Sequence, residues 1–205
     1  GVTVRPVDVM ASDWDCPLEE AVPYPAVRLG LRLVKGLGRE AGRRIAGGRR
    51  ERPPLDAQDL AKRAGLDTAT LRLLAAGDAL RALSGHRRQQ VWEAAAVQRM
   101  PGLLDEAPPQ EDWLDLPAPP EGEDIVFDCA ATGLTLRRHP LALLRPLLSQ
   151  RRLLTAAELA QAPNGRIVRA CGIVTLRQQP ETAKGTTFVS LEDETGVVQV
   201  ICWKG

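Results

Sequence analysis

Apolar and polar positions alternate at Val2 and Val4 and again at Val7 and Val9, the period of a short strand. Ser12-Asp13-Trp14-Asp15 follows as a turn. From residue 25 the period lengthens: Val27, Leu29, Leu31, Leu33 and Val34 crowd a run broken by Arg28, Arg32 and Lys35, which predicts a helix. After Gly36-Leu37-Gly38 a second helical run passes through Ala41, Ile45 and Ala46, and Gly47-Gly48 is expected to stop it. Beyond the break at Pro53-Pro54, residues 56–63 predict a short helix and Ala64-Gly65-Leu66 a tight turn. Residues 68–75 predict a further helix with Asp67 or Thr68 as N-cap. Gly77 and Gly85 separate two more helical pieces, 78–83 and 86–98.

Residues 101–124 break the pattern. Six prolines (101, 108, 109, 117, 119 and 120) among acidic residues mark an extended linker, in which Trp113-Leu114-Asp115-Leu116 is an apolar island. Structure resumes with an expected strand over 125–129, a helix over 140–150, and a helix over 155–161 that carries Glu158 at its third position. After Pro163-Asn164-Gly165 the period becomes two, and 167–176, 186–191 and 197–203 read as three strands. Gly172 stands where a strongly bent first strand would need one.

These elements predict a multidomain α+β chain. Residues 25–100 form an all-α module of tandem helix-hairpin-helix units, 101–124 an acidic proline-rich linker, 125–164 a small α/β connector, and 165–205 the start of a β OB-fold. An OB barrel uses five strands, so the β part is expected to be truncated or to leave an open edge. The opening, without methionine, reads as the middle of a larger protein. No run of about 18 apolar residues occurs, no basic-then-apolar leader is present, and a cytoplasmic location is expected.

Charge sharpens the picture. The net charge of +1 conceals sixteen Lys/Arg against seven acids over 25–100, a net +9, beside no Lys/Arg against nine acids over 101–128, a net −9. A basic module beside an acidic tether is a footprint for a polyanion. The four cysteines (16, 129, 171 and 202) are isolated, and His86 and His139 each stand alone, so no metal site and no disulfide framework is expected.

Two segments carry the candidate chemistry. In Lys35-Gly36-Leu37-Gly38, small residues let backbone N–H groups at the next helix start approach a phosphate oxygen, and the helix dipole adds positive potential there. Arg39, Arg43 and Arg44 follow to hold neighbouring phosphates, contacts that fix register without reading sequence. The second hairpin, with Arg63 and Gly65, has one glycine and an acidic Asp67 at the helix start, and is expected to be mainly structural. Leu37 and Leu66 are expected to point inward and close the two hairpins. In the β part, Arg169, Arg177 and Lys184 are candidates for a single-strand backbone, and Phe188 or Trp203 for base stacking, although alternation must bury at least one of these aromatics. No catalytic residue is expected: Asp13-Trp14-Asp15 has the spacing of a carboxylate pair but sits in a proline-flanked acidic turn.

In combination, the order of these pieces resembles the bacterial C-family DNA polymerases, specifically the error-prone ImuC type. The resemblance is carried by Val4-Arg5-Pro6-Val7-Asp8-Val9 with Ser12-Asp13-Trp14-Asp15-Cys16, and by Arg28-Leu29-Gly30-Leu31 leading to Val34-Lys35-Gly36-Leu37-Gly38. Ala76-Gly77-Asp78-Ala79-Leu80, His86-Arg87-Arg88-Gln89 with Trp92-Glu93, and Thr132-Gly133-Leu134 with His139-Pro140 and Arg145-Pro146 add to it, as does 188–196 (FVSLEDETG) at the OB entry. Cys129 departs from the pattern, standing where an aromatic usually follows Asp128. The resemblance implies a parent that performs template-directed synthesis in damage-induced mutagenesis and translesion synthesis, with its catalytic carboxylates upstream and Mg2+ as its metal. Residues 1–24 would be the end of the preceding fingers region. The hairpins would grip primer–template duplex, and the OB part would contact single-stranded template.

Three rival readings stand beside this one. The modules could scaffold proteins, an accessory mutasome protein or the sliding clamp, for which residues 110–116 (QEDWLDL) faintly resemble a binding peptide. The β part alone would suit the anticodon-binding domain of a tRNA synthetase. The whole could also be the equivalent region of a replicative C-family polymerase.

Overall fold

The computed structural model describes residues 2–97, 114–183 and 185–203. The chain folds into two units, Gly1–Leu136 and Arg137–Gly205.

The first unit opens with a small sheet. Strands β1 (Thr3–Arg5), β2 (Leu18–Glu19) and β3 (Ala26–Arg28) are ordered β1-β3-β2, with β1 parallel and β2 antiparallel to β3. Glu19 binds it together, taking hydrogen bonds from Arg5 and Arg28. A 3-10 turn (Leu31–Leu33) leads to the helices α1 (Arg39–Glu51), α2 (Ala57–Ala64), α3 (Thr68–Ala76), α4 (Arg81–Ser84), α5 (Arg87–Ala96) and α6 (Glu121–Ala131). Their apolar faces, with Val7, Val9, Leu31 and Val34 from the preceding segment, enclose one core centred on Ile45, Leu71, Leu74 and Leu80.

The helix expected from residue 25 is not formed; β3 and the 3-10 turn take its place. Val27, Leu29 and Leu31 are spaced by two, a strand period. Gly30 also lies against the 13–15 turn so closely that a Cβ there would be 2.4 Å from the carbonyl oxygen of Asp15. Gly47-Gly48 does not stop α1. Its last turn is held from outside, because Arg49 donates to the carbonyls of Val9 and Ser12 and to Asp13, while Arg63 donates to the Gly48 carbonyl. Tertiary bonds thus override a weak local propensity. The piece expected at 78–83 is shorter, since Asp78 takes a left-handed turn (φ 56°) and α4 begins at Arg81. The strand expected over 125–129 is instead inside α6, whose first turn is residues 121–124. Short apolar runs do not separate the two periods.

In the second unit, α7 (Pro140–Gln150) and α8 (Ala156–Ala160) form where expected, α8 with a capping box between Thr155 and Glu158. Strands β4 (Ile173–Gln178), β5 (Thr187–Asp193) and β6 (Gly196–Cys202) make an open antiparallel meander, β4-β5-β6, consistent with a partial OB-fold and not a closed barrel. The first strand was expected from 167 but starts at Ile173. Before it, the chain makes only a single parallel bridge, Leu154 to Ala170. Gly172 serves close approach: a Cβ there would lie 2.7 Å from that of Leu191. Arg145 of α7 ties the unit together through Glu194 and Asp193.

Candidate nucleic-acid interface

The first hairpin links the 3-10 turn to α1. Gly36 takes φ +82°, which favours glycine, and Leu37 closes the turn from inside at 8% exposure. Gly38 is the N-cap of α1 with ordinary φ (−71°), no side-chain cap bonds the helix start, and an added Cβ would meet nothing within 4 Å. The start of α1 is therefore open, with backbone donors that a long helix leaves unsatisfied and a positive dipole end. Glycine at position 38 is required by neither backbone nor packing.

The cations predicted for this hairpin are placed in three ways. Arg39 is exposed and has no ion-pair partner among the described residues. Arg43 is exposed and, among the described residues, pairs only with Glu40 one turn back, at 2.9 Å. Lys35 and Arg44 face other work. The Lys35 ammonium donates to the carbonyls of Ala130 (2.8 Å) and Cys129 (3.2 Å), and its backbone N–H donates to Ala131. It completes the C-terminus of α6, where a cation also meets the negative dipole end.

The second hairpin is the true helix–turn–helix joint, between α2 and α3. Gly65 is a left-handed cap (φ 58°), Leu66 is buried at 6% exposure, and Asp67 accepts from the Thr70 N–H. Arg44 Nε donates to the Ala64 carbonyl at 2.6 Å, while Arg63 donates to the carbonyls of Arg52 and Gly48. Each guanidinium thus finishes the other helix, and the pair locks α1 against α2.

A second charged group lies on α5. Arg87, 4% exposed, reaches Asp124 and Asp128 of α6 and lies over the Phe127 ring at 5.7 Å. Its Nη1 donates to the Asp124 carbonyl at 2.8 Å and lies 3.0 Å from Oδ1 of the same residue. Arg88 adds a pair to Glu123 at 2.7 Å. This docking of α6 was not read from the sequence; the signal available was the i, i+4 pair Asp124 and Asp128 opposite an arginine-rich helix start.

In the second unit, Arg169 and Arg177 are exposed with no ion-pair partner among the described residues. Lys184 lies outside the described residues, as do residues 110–113 of the peptide over 110–116. Its Leu116 docks on α5 through Gln89 and His86. Phe188 is 37% exposed, registered between Gln178 and Ile201, and Trp203, past the end of β6, is 74% exposed, so the burial expected of at least one of them does not occur in this open sheet. Two acids at the β5–β6 turn, Asp193 and Glu194, are already engaged. Burial works to raise the Asp193 carboxyl, but hydrogen bonds from Thr195, Ala156 and Gly196 outweigh it and hold the pKa below its ordinary value. A hydrogen bond from Arg145 lowers that of Glu194.

No group of three or more His, Cys, Asp or Glu among the described residues is placed to hold a metal, and no described helix is long and apolar enough to cross a membrane. Asp13 is held by Arg49 and Arg50 and Asp15 by Arg32, so the Asp-x-Asp turn does not fit Mg2+.

The sequence pattern described as a helix-hairpin-helix motif matches residues 1–90. The chain is similar to the error-prone DNA polymerase of Bordetella parapertussis, 53% identical over 204 residues, covering 98% of this chain and 19% of that protein. The error-prone DNA polymerases of Alkalilimnicola ehrlichii (49% over 205 residues) and Azoarcus sp. (51% over 211) each match 100% of this chain and 20% of their own length. The chain spans about a fifth of the length of the curated relatives it matches.

Proposed function

We propose, from strong homology to bacterial error-prone DNA polymerases through the whole chain, that it is a DNA-binding segment of such an enzyme, in the C-terminal region of an ImuC-type polymerase. The helical module grips the phosphates of primer–template duplex, and the OB-like part contacts single-stranded template. The parent's template-directed synthesis across damaged DNA, its Mg2+ and its cytoplasmic location belong to the same reading. The metal would be held by residues of the parent beyond this segment.

The observation that carries the reading is the open start of α1. Gly38 leaves the backbone donors uncovered although nothing in the fold calls for glycine, and exposed Arg39 and Arg43 flank them. That combination suits a phosphate oxygen and identifies no base.

The test is a salt titration of binding to a primer–template junction, plain duplex and single strand. R39Q/R43Q should flatten the duplex log–log salt slope by about 2, at ~0.9 per phosphate contact, equally for unrelated sequences. No duplex binding at about 50 mM salt, where phosphate contacts are strong, would sink the proposal.

A further inference from the structure

The second unit holds a group of arginines of which only Arg169 is already a candidate for a single-strand backbone. The bridge between Leu154 and Ala170, with the Leu154 N–H donating to the Arg169 carbonyl at 2.8 Å, lays the chain leaving α7 beside the chain entering β4. Bridged backbones run about 4.8 Å apart, so Arg169 lies next to the backbone of Leu154, which follows Arg151 and Arg152 by three and two residues; Arg166 precedes Arg169 by three. All four are exposed, and none has an ion-pair or hydrogen-bond acceptor for its guanidinium among the described residues. Over residues 137–178 eight arginines face one acid, Glu158, a net +7. That acid is engaged in the capping box at Thr155. Asp193 and Glu194 are taken by Arg145 and by backbone N–H groups. These three acids are thus engaged elsewhere, and none of them pairs with the four arginines.

A second observation concerns Arg152 itself. It takes φ +57° after α7, with the Leu153 N–H returning to Leu148 and its own N–H to Ser149. This is the left-handed helix cap that glycine normally fills. A residue with a long, charged side chain held in that conformation is backbone strain of the kind that persists where a side chain is needed.

We propose that Arg151, Arg152, Arg166 and Arg169 form a phosphate-binding patch for single-stranded DNA, off the strands of the sheet. Arginine forks match phosphate oxygens in pairs, and four of them from two neighbouring segments suit a repeating backbone. The patch rests on the reading of the chain as a DNA-binding segment and extends it to a surface outside the OB-like strands.

The experiment uses the whole chain and compares R151Q/R152Q/R166Q/R169Q with R39Q/R43Q, on an oligo-dT strand and on duplex. The fourfold variant should flatten the single-strand salt slope by about 2–3, at ~0.7 per contact, and change the duplex slope less. If R39Q/R43Q changes nothing while the fourfold variant acts, the hairpin reading fails and the patch stands. If the fourfold variant keeps both slopes with an unchanged circular dichroism spectrum, the patch is overturned. Arg152→Gly separates strain from binding: the melting temperature should hold or rise while strand affinity falls. Unchanged strand affinity in that variant counts against the patch, as does polyglutamate binding as tight as that of an oligonucleotide of equal charge.

Discussion

Arg87→Met tests how α6 is held. The substitution keeps the apolar stem of the side chain but removes the guanidinium that faces Asp124 and Asp128 and lies 4.0 Å from Asp78. The three side chains are 4%, 10% and 15% exposed at Arg87, Asp124 and Asp128, so water cannot easily replace the lost partner. Removing one member of a buried pair leaves its opposite charge uncompensated and costs about 3–5 kcal/mol. The Asp124 carbonyl loses its donor as well. Urea unfolding should show the loss as a lower midpoint, with a smaller or split transition if α6 separates before the rest of the module. R87M combined with D124L and D128L should recover part of the loss, because those two carboxylates are then no longer buried without Arg87. A loss below about 1 kcal/mol in R87M, within the range of an exposed pair, would refute the argument that this cluster docks α6.

Lys35→Met should cost about 1 kcal/mol of stability through the lost bonds at the end of α6, and the duplex salt slope should stay where it was; a slope flatter by about 0.9 would show that Lys35 leaves α6 for a phosphate. Gly36→Ala should destabilise by roughly 1–2 kcal/mol because its φ is left-handed, whereas Gly38→Ala should unfold within about 1 kcal/mol of the parent yet bind duplex more weakly; equal binding by a folded Gly38→Ala chain would mean that the open helix start is not used. Asp193 and Glu194, whose pKa values are lowered by folding, contribute stability above their unfolded values that is lost as pH falls through the folded ones. Asp8 has the opposite sign: burial raises it, so it favours folding below its unfolded value and that contribution is lost as pH rises through the folded one. Melting curves between pH 3 and 7 should therefore shift less in D193N/E194Q than in the parent, and D8N should gain stability at neutral pH; the reverse order in either would contradict the assignment.

Much of the framework was legible because its signals are local. The second hairpin is spelled out by Gly65 and the Asp67 cap, α8 by Thr155 and Glu158, and the meander by the β-branched residues of β5 and β6 on either side of Thr195-Gly196. The inward leucines 37 and 66 follow from the same turn chemistry. What escaped depends on partners distant in sequence. Whether Gly48 ends a helix turned on Arg63, fifteen residues away, and whether 125–129 would be strand or helix turned on Arg87. The candidate site divides along the same line. Its position at the first hairpin was readable, but Lys35 finds acceptors more than ninety residues along the chain. The arginines beside the Leu154 bridge are brought together only by the fold.

The mutual completion of α1 and α2 sets where this region can be cut and rejoined. A chimera with a relative whose junction falls at Pro53-Pro54 looks safe, since it lies in an irregular loop between helices. Yet it parts Arg44 from the Ala64 carbonyl and Arg63 from the Gly48 carbonyl, so the donor half must supply its own arginine of the two and present its own carbonyl to the other. The smallest segment that can be exchanged intact therefore runs from the start of α1 past Gly65, and recombination between homologues should be tolerated at its borders and penalised inside it.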